Sequence, residues 1–214
     1  LKKTLEKYYN KKVLSLSLDN YYLSKNERGK LANNIHQLLK VRGVPGTHNV
    51  KKLIQNIEMF DKNSYPIITP LFDKLIDNQL RKKNIINKKC DILILEGWCC
   101  GCNPIEKKYL CNNINSIETK YDKNFKWRNY YNNKLKYEYK KLFNLFDQKI
   151  FIKAPSFNHI LQWRLNQENN NHSIYKTSKK MNKKEIKIFI QHYEKITKWM
   201  LKNYKKNSNI IIKV

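Results

Sequence analysis

Two acids stand at the ends of apolar runs. Val13 to Tyr22 reads VLSLSLDNYY and delivers Asp19 where the apolar run stops. Asp91 to Gly97 reads DILILEG and delivers Glu96 in the same way. Short apolar runs of this kind fit strands buried on both faces of a parallel sheet. Such sheets place their chemistry at the carboxyl ends of the strands. The expectation is therefore an acidic pair converging on one crevice, suited to proton transfer or metal binding. The competing reading is two core strands whose acids merely begin loops. A third segment, Lys40 to Asn49, reads KVRGVPGTHN. Two glycines and a proline make it a shaped loop. Arg42, Thr47 and His48 give it a cation, a hydroxyl and an imidazole, more polar chemistry than a simple connector needs.

The elements that position these residues follow from local pattern. Leu1 to Tyr9 reads as the body of a helix, with Leu1 and Leu5 on one face and Tyr8 or Tyr9 near it. Ser24 to Leu39 reads as a helix, with Ser24 as N-cap and Glu27 completing a capping box. Val50 to Phe60 is a short amphipathic helix. Tyr65 to Lys74, YPIITPLFDK, carries two prolines and is expected to be extended and at an edge. Pro104 could start a helix. Phe125 to Phe146 is expected as one long aromatic-rich helix, and its tyrosines and tryptophan as core. Lys149 to Ile152 is a short strand and Ser156 to Glu168 a helix. The polar stretch NNNHSIYKTSKK after it is expected to be a mobile loop. Asn182 caps a clear helix to Lys202, and Asn209 to Val214 is a last strand. No internal repeat and no interdomain linker is visible. The expected architecture is a single α/β domain over 1–214 with a parallel sheet, large enough for a full core.

Composition sets the function classes. The chain has 214 residues and a net charge of +27, from 44 Lys and Arg against 17 Asp and Glu. That excess suggests nucleic acid. However, Lys, Asn and Ile are scattered throughout, as an A/T-rich coding sequence would scatter them. Arg occurs only at positions 28, 42, 81, 128 and 164, and a reader of bases leans on Arg. No specific nucleic-acid partner is therefore expected. In such a lysine-rich chain, a retained Arg suggests a place where its planar fork is needed. The five cysteines are odd in number and three crowd into CCGC. This fits neither paired zinc ligands nor a disulfide framework. Reduced thiols in a cytoplasmic or other reducing compartment are expected. No run is long enough to span a membrane and no secretory signal is visible, so no membrane partner is expected.

LSLDNYYL, RGVPGTHN, PLFDK, LILEGWCCG, and APSF followed by WRLNQE occur in that order. Together they make the chain similar to the D-glycerate 3-kinase family of P-loop kinases, relatives of phosphoribulokinase, uridine kinase and pantothenate kinase. The resemblance runs over nearly the whole chain. It implies a three-layer fold with a mostly parallel sheet, a helical lid-like region about 122–205, and ATP and Mg²⁺ as cofactors. It implies phosphorylation of a small anionic metabolite, with D-glycerate favoured. Asp19 would be the general base and Glu96 would hold Mg²⁺. Arg42, Thr47 and His48 would bind the acceptor, with Lys74 assisting. Arg164 would be a lid arginine closing over the phosphates, or else a surface partner of Glu168 one turn on.

The chain also departs from the family pattern. No GxxxxGK[ST] phosphate loop occurs in these residues, and Leu1 lies where the helix after that loop would run. The strand before the loop is central in related sheets, and its loss would expose unpaired backbone. The expectation is an N-terminally truncated fragment or partial gene product, inactive by itself. A basic nucleic-acid-binding protein and an inactive kinase-derived binding protein are the alternatives. Asn20, Asn49 and Leu71 stand where the family commonly has charged residues, which bears on activity and substrate.

Overall fold

VLSLS forms strand β1 (Val13–Ser17), burying Val13, Leu14 and Leu16 while Ser15 faces out. β1 runs parallel to β6 (Ile92–Glu96), in a register that sets Ser17 opposite Glu96. The computed structural model describes residues 1–175 and 182–214, excluding the side chains of 168–175. The chain forms two compact units, Leu1–Cys100 with Asn133–Leu145, and Gly101–Asn132 with Phe146–Val214.

The first unit opens with helix α1 (Lys2–Tyr9), which ends at Asn10 in the left-handed conformation. Asn tolerates that conformation better than most residues. None of α1 is buried, so its apolar side lies open. After β1 the chain turns through a 3₁₀ turn, Leu18–Tyr21, before α2 (Lys25–Asn34). Ser24 and Glu27 form the expected capping box. The helix expected to reach Leu39 stops at Asn34, and a separate 3₁₀ turn, Gln37–Lys40, follows with His36 as its cap. Two consecutive asparagines, poor in helix interiors and good at breaks, precede that interruption.

Asn49 caps α3 (Val50–Asp61) by accepting from the Lys52 N–H. The proline-bearing stretch becomes β2 (Ile67–Thr69) and β3 (Phe72–Asp73). These pair antiparallel with β5 (Asn84–Ile86) and β4 (Asn78–Gln79), two short strands that sequence pattern does not announce. β6 was expected to be buried on both faces, but Ile92 to Leu95 are half-buried and Glu96 is exposed. Each parallel ladder has only two strands, so part of its surface stays in solvent.

In the second unit, α4 (Lys107–Cys111) starts three residues after Pro104, with Glu106 as its N-cap residue. α5 (Ser116–Tyr121) follows. The expected aromatic helix is present but composite. It runs through α6 (Lys126–Lys134), a π turn (Leu135–Tyr139) and α7 (Lys140–Phe143). Trp127 and Tyr131 are buried in the second unit, and Tyr139 and Phe143 in the first, as core aromatics. β7 (Ile150–Lys153) pairs in parallel with β8 (Ile210–Lys213), whose isoleucines are exposed.

α8 extends from Phe157 to Tyr175, so the polar stretch expected as a loop is helical up to that residue. It contains no Gly or Pro, and each Asn costs a helix only a few tenths of a kcal/mol. The rest of that expected loop, 176–181, lies outside the described residues. α9 (Lys183–Asn207) buries Ile186, Ile190 and Ile196, and Asn182 with Glu185 forms a second capping box. No helix among the described residues is long and apolar enough to cross a membrane. None of the five cysteines forms a disulfide.

Candidate active site

Asp19 lies two residues beyond β1, on the 3₁₀ turn rather than on the strand. Its Oδ2 is 2.6 Å from Lys74 Nζ. Burial on its own would raise the Asp19 pKa. The Lys74 hydrogen bond and charge, with help from Tyr22 and His48, outweigh burial and hold the carboxyl below its ordinary range. Asp19 is therefore ionised at neutral pH.

The loop 41–49 is fastened to this turn by backbone. Leu23 N–H donates to Thr47 O, and Asn49 N–H donates to Tyr21 O. That brings His48 against Tyr22, with ring centroids 4.4 Å apart and stacked. Gly46 supplies a φ of +96°, a conformation side chains disfavour, and so turns its N–H onto the Tyr139 hydroxyl. Tyr139 Oη lies 2.5 Å from His48 Nδ1. With its oxygen accepting from Gly46, the hydroxyl is placed to donate to Nδ1, which makes Nδ1 the acceptor and leaves the proton on Nε2. Burial drives the His48 pKa down to about 3, against a smaller upward pull from Asp19. His48 is thus a neutral donor and not a cation. An open cleft of about 670 Å³ is lined by His48 with Asn49, Val50, Ile54, Glu58 and Glu138, among others.

Arg42 meets Asp77, Nη1 to Oδ1, at 2.5 Å. Arg28 shares the same carboxylate at 2.8 Å and also donates to the carbonyls of Leu23, Lys40 and Asp77. Both guanidinium groups lie over the Phe72 ring, at 5.9 and 5.7 Å. Phe72 in turn packs edge-on to Tyr22. Asn20 Oδ1 accepts from the Phe72 N–H, so the residue standing in place of a second acid positions β3. Thr47 is fully buried, donates its hydroxyl proton to Val44 O and accepts from Gly43 N–H. Its donor is used within the loop.

Glu96 ends β6 and is exposed. Gly97 follows it because Leu18 packs there: a Cβ on residue 97 would lie 2.7 Å from Leu18 Cβ. The Cys100 thiol is pushed up to about 12 by burial, then by the charges of Glu96 and Asp19. Both strand-end acids therefore act on one thiol. The first unit thus brings Asp19, Lys74 and His48 into one cluster, and Glu96 ends the strand paired with β1. Arg42 stands at its Phe72 side.

Arg164 belongs to the second unit. Its Nη1 donates to Gln167 Oε1 at 2.8 Å and its guanidinium lies 5.7 Å from the Phe189 ring centroid. The side chain of Glu168, its alternative partner, lies outside the described residues. Sequence pattern missed Tyr139, Asp77 and Arg28. Tyr139 meets His48 across 91 positions, which no local signal reveals. Arg28 had one signal, its rarity in a lysine-rich chain.

Among the described residues no group of three His, Cys, Asp or Glu could hold a metal by itself. Mg²⁺ in kinases commonly takes one or two carboxylates and completes its shell with waters and phosphates. A single exposed Glu96 fits that partial role.

No family model matches the chain. Its relatives include "Uncharacterized kinase mug58" of Schizosaccharomyces pombe, 29% identical over 203 residues, 86% of this chain and 68% of that protein. They also include "Probable ATP-dependent kinase TDA10" of Saccharomyces cerevisiae, 27% identical over 96% of this chain and 72% of that protein. In structure the chain is similar to a D-glycerate 3-kinase from Cryptococcus neoformans. The TM-score is 0.79 at 22% identity, over 94% of this chain and 73% of that one. The chain therefore has the α/β fold of the P-loop kinases. Within that class it is related in sequence to fungal proteins named as kinases.

Proposed function

We propose that the chain serves ATP-dependent phosphorylation of a hydroxyl on a small anionic metabolite, with D-glycerate as the favoured acceptor. The observation that supports this most is the ionised Asp19 carboxylate, two residues beyond β1, whose last residue Ser17 pairs with Glu96 at the end of β6. An acceptor hydroxyl loses a proton as it attacks a γ-phosphate, and Asp19 is the base for that proton. The Lys74 side chain is 59% exposed, so it can leave Asp19 as the acceptor enters. His48 offers its Nε2–H to the acceptor as a neutral donor, and Arg42 holds the acceptor's carboxylate. Mg²⁺ bound at Glu96 would neutralise phosphate charge. The 214 residues contain no GxxxxGK[ST], so none of them is assigned to cradling the triphosphate with backbone N–H groups. Arg164 is a candidate for closing over it.

The test is transfer from Mg-ATP to D-glycerate by a chain carrying a GxxxxGK[ST] loop ahead of Leu1. Asp19→Asn should lower kcat by about 10²–10⁴ and leave Mg-ATP affinity nearly unchanged. Glu96→Gln should weaken the response to Mg²⁺. An Asp19→Asn kcat within a few-fold of the parent would remove Asp19 as the base. Loss of Mg-ATP binding instead would exchange the two roles. Turnover of a different small hydroxy acid would overturn only the choice of glycerate.

A further inference from the structure

The cleft of about 670 Å³ beside His48 is lined by residues of the first unit alone. Val50 and Ile54 are buried in its lining and give it an apolar floor. One face of α3 forms a wall, since Lys51, Ile54, Gln55 and Glu58 follow one another at helical spacing. Glu138 and Lys141 line it as well. Glu138 is paired with Lys134, whereas Lys51, Glu58 and Lys141 are exposed and form no ion pair among the described residues. His48 is only 5% exposed, yet it too lines the cleft. Tyr139 holds its Nδ1 and Tyr22 covers a ring face, so the edge left open carries Nε2. That N–H has no acceptor among the described residues, and neither have the N–H groups of Val50 and Lys51 in the first turn of α3. Unused donors and the Lys51 cation therefore gather where α3 begins, while Glu58 stands two turns, about 10 Å, further along.

We propose that this cleft binds a small organic monocarboxylate with an apolar chain. The carboxylate accepts from His48 Nε2–H and the free N–H groups of α3, beside the Lys51 ammonium. The chain lies on Val50 and Ile54, where leaving water is favourable. The volume is far more than a bare anion needs and falls in the range of about 300–1,000 Å³ that encloses organic ligands. A second carboxylate at the far end of the chain meets Glu58, so a dicarboxylate of equal length is rejected by repulsion. His48 is shared with the proposed acceptor contact, but Lys51, Ile54 and Glu58 are not. Binding here needs neither ATP nor a phosphate loop, and so holds or fails independently of the kinase reading.

The experiment is a proton NMR titration of the 214-residue chain with three probes: hexanoate, adipate and inorganic phosphate. The signals followed are those of the His48 ring, identified by their nuclear Overhauser contacts to the Tyr22 and Tyr139 rings. Hexanoate should move them with a Kd of about 1 mM or tighter. Adipate, the dicarboxylate of the same chain length, should bind about fivefold more weakly, and phosphate should not saturate. Lys51→Gln should weaken hexanoate by about fivefold, and Glu58→Gln should bring adipate close to hexanoate. Both side chains are exposed and unpaired, so neither change threatens the fold. Hexanoate that leaves the His48 signals unmoved would overturn the proposal. So would phosphate that binds as tightly as hexanoate, or a pair of variants that leaves both affinities as in the parent.

Discussion

Each unit contains an arginine enclosed by carboxylates and carbonyls, and the two enclosures differ in closure. In the second unit Arg128 is fully buried, with Asp122 at 2.7 Å and Glu118 at 3.5 Å, both also fully buried. It donates further to the carbonyls of Leu110 and Asp122, and Lys195 joins Glu118 at 3.2 Å. In the first unit Arg28 is equally buried, but the Asp77 it shares with Arg42 opens to solvent. A closed set of charges can only hold structure, because no ligand reaches it. An open set keeps field and donors where an ion can arrive. Arg28 and Arg128 are thus buried forks that satisfy several carbonyls at once, and Arg42 is a part-exposed cation.

The sharpest way to break this comparison is to remove one arginine from each set. Arg128→Met leaves the buried Asp122 carboxylate without its guanidinium and Glu118 with Lys195 alone, a loss of about 3–5 kcal/mol. Urea unfolding followed by tryptophan fluorescence suits the test, since Trp127, Trp163 and Trp199 all lie in the second unit. Arg42→Gln should cost about 1 kcal/mol or less, because its pair is part-exposed. Equal losses for the two variants would mean that openness does not separate them.

The next largest effect is a difference in acid response. His48 has a folded pKa near 3 against an ordinary 6.5. Its contribution to stability is complete above about 6.5 and is lost as pH falls towards 3, at up to about 1.4 kcal/mol per pH unit. Asp19, with a lowered pKa, keeps its contribution until pH falls below the ordinary carboxylate range. Glu118 has the opposite sign. Burial raises its pKa over the pull of the Ile114 N–H, Lys195 and Arg128, so its contribution is lost as pH rises. Between pH 6.5 and 4.5 the first unit should weaken by about 2–3 kcal/mol from His48. Amide exchange at the two pH values checks this, with His48→Gln as the reference. A parent no more acid-sensitive than His48→Gln would show that His48 is not held neutral by the fold.

Much of the open site could be read from the sequence, and little of the closed one. Asp19 and Glu96 end apolar runs, and the RGVPGTHN loop announces itself by composition, so local pattern found them. The partners that define their chemistry are non-local. Tyr139 reaches His48 from a π turn, and Asp77 sits between two-residue strands too short to show any period. The Glu118–Arg128–Lys195 set joins residues from three helices, none of them marked by a motif. Helix ends with a capping box were legible because the signal is carried within four residues. The extent of α8 was not, since Asn-rich sequence only weakly opposes a helix.

The smallest expected effect sits where the two kinds of region meet: a closed group inside the open unit. Thr47 lies beside His48, yet its hydroxyl is buried between Val44 O and Gly43 N–H, at 2.8 and 3.0 Å. Thr47→Val keeps the shape, leaves the Gly43 N–H without its acceptor, and leaves Val44 O with the residue 47 N–H alone. The cost should be about 1–2 kcal/mol of stability. Affinity for D-glycerate, measured by calorimetry on the folded variant, should stay within twofold, because the hydroxyl faces the loop's own backbone. Thr47→Ser keeps the hydroxyl and should recover most of the lost stability. If Thr47→Val weakened acceptor binding several-fold with stability unchanged, Thr47 would be an acceptor contact. Nearness in sequence to His48 would then have been the better guide than burial.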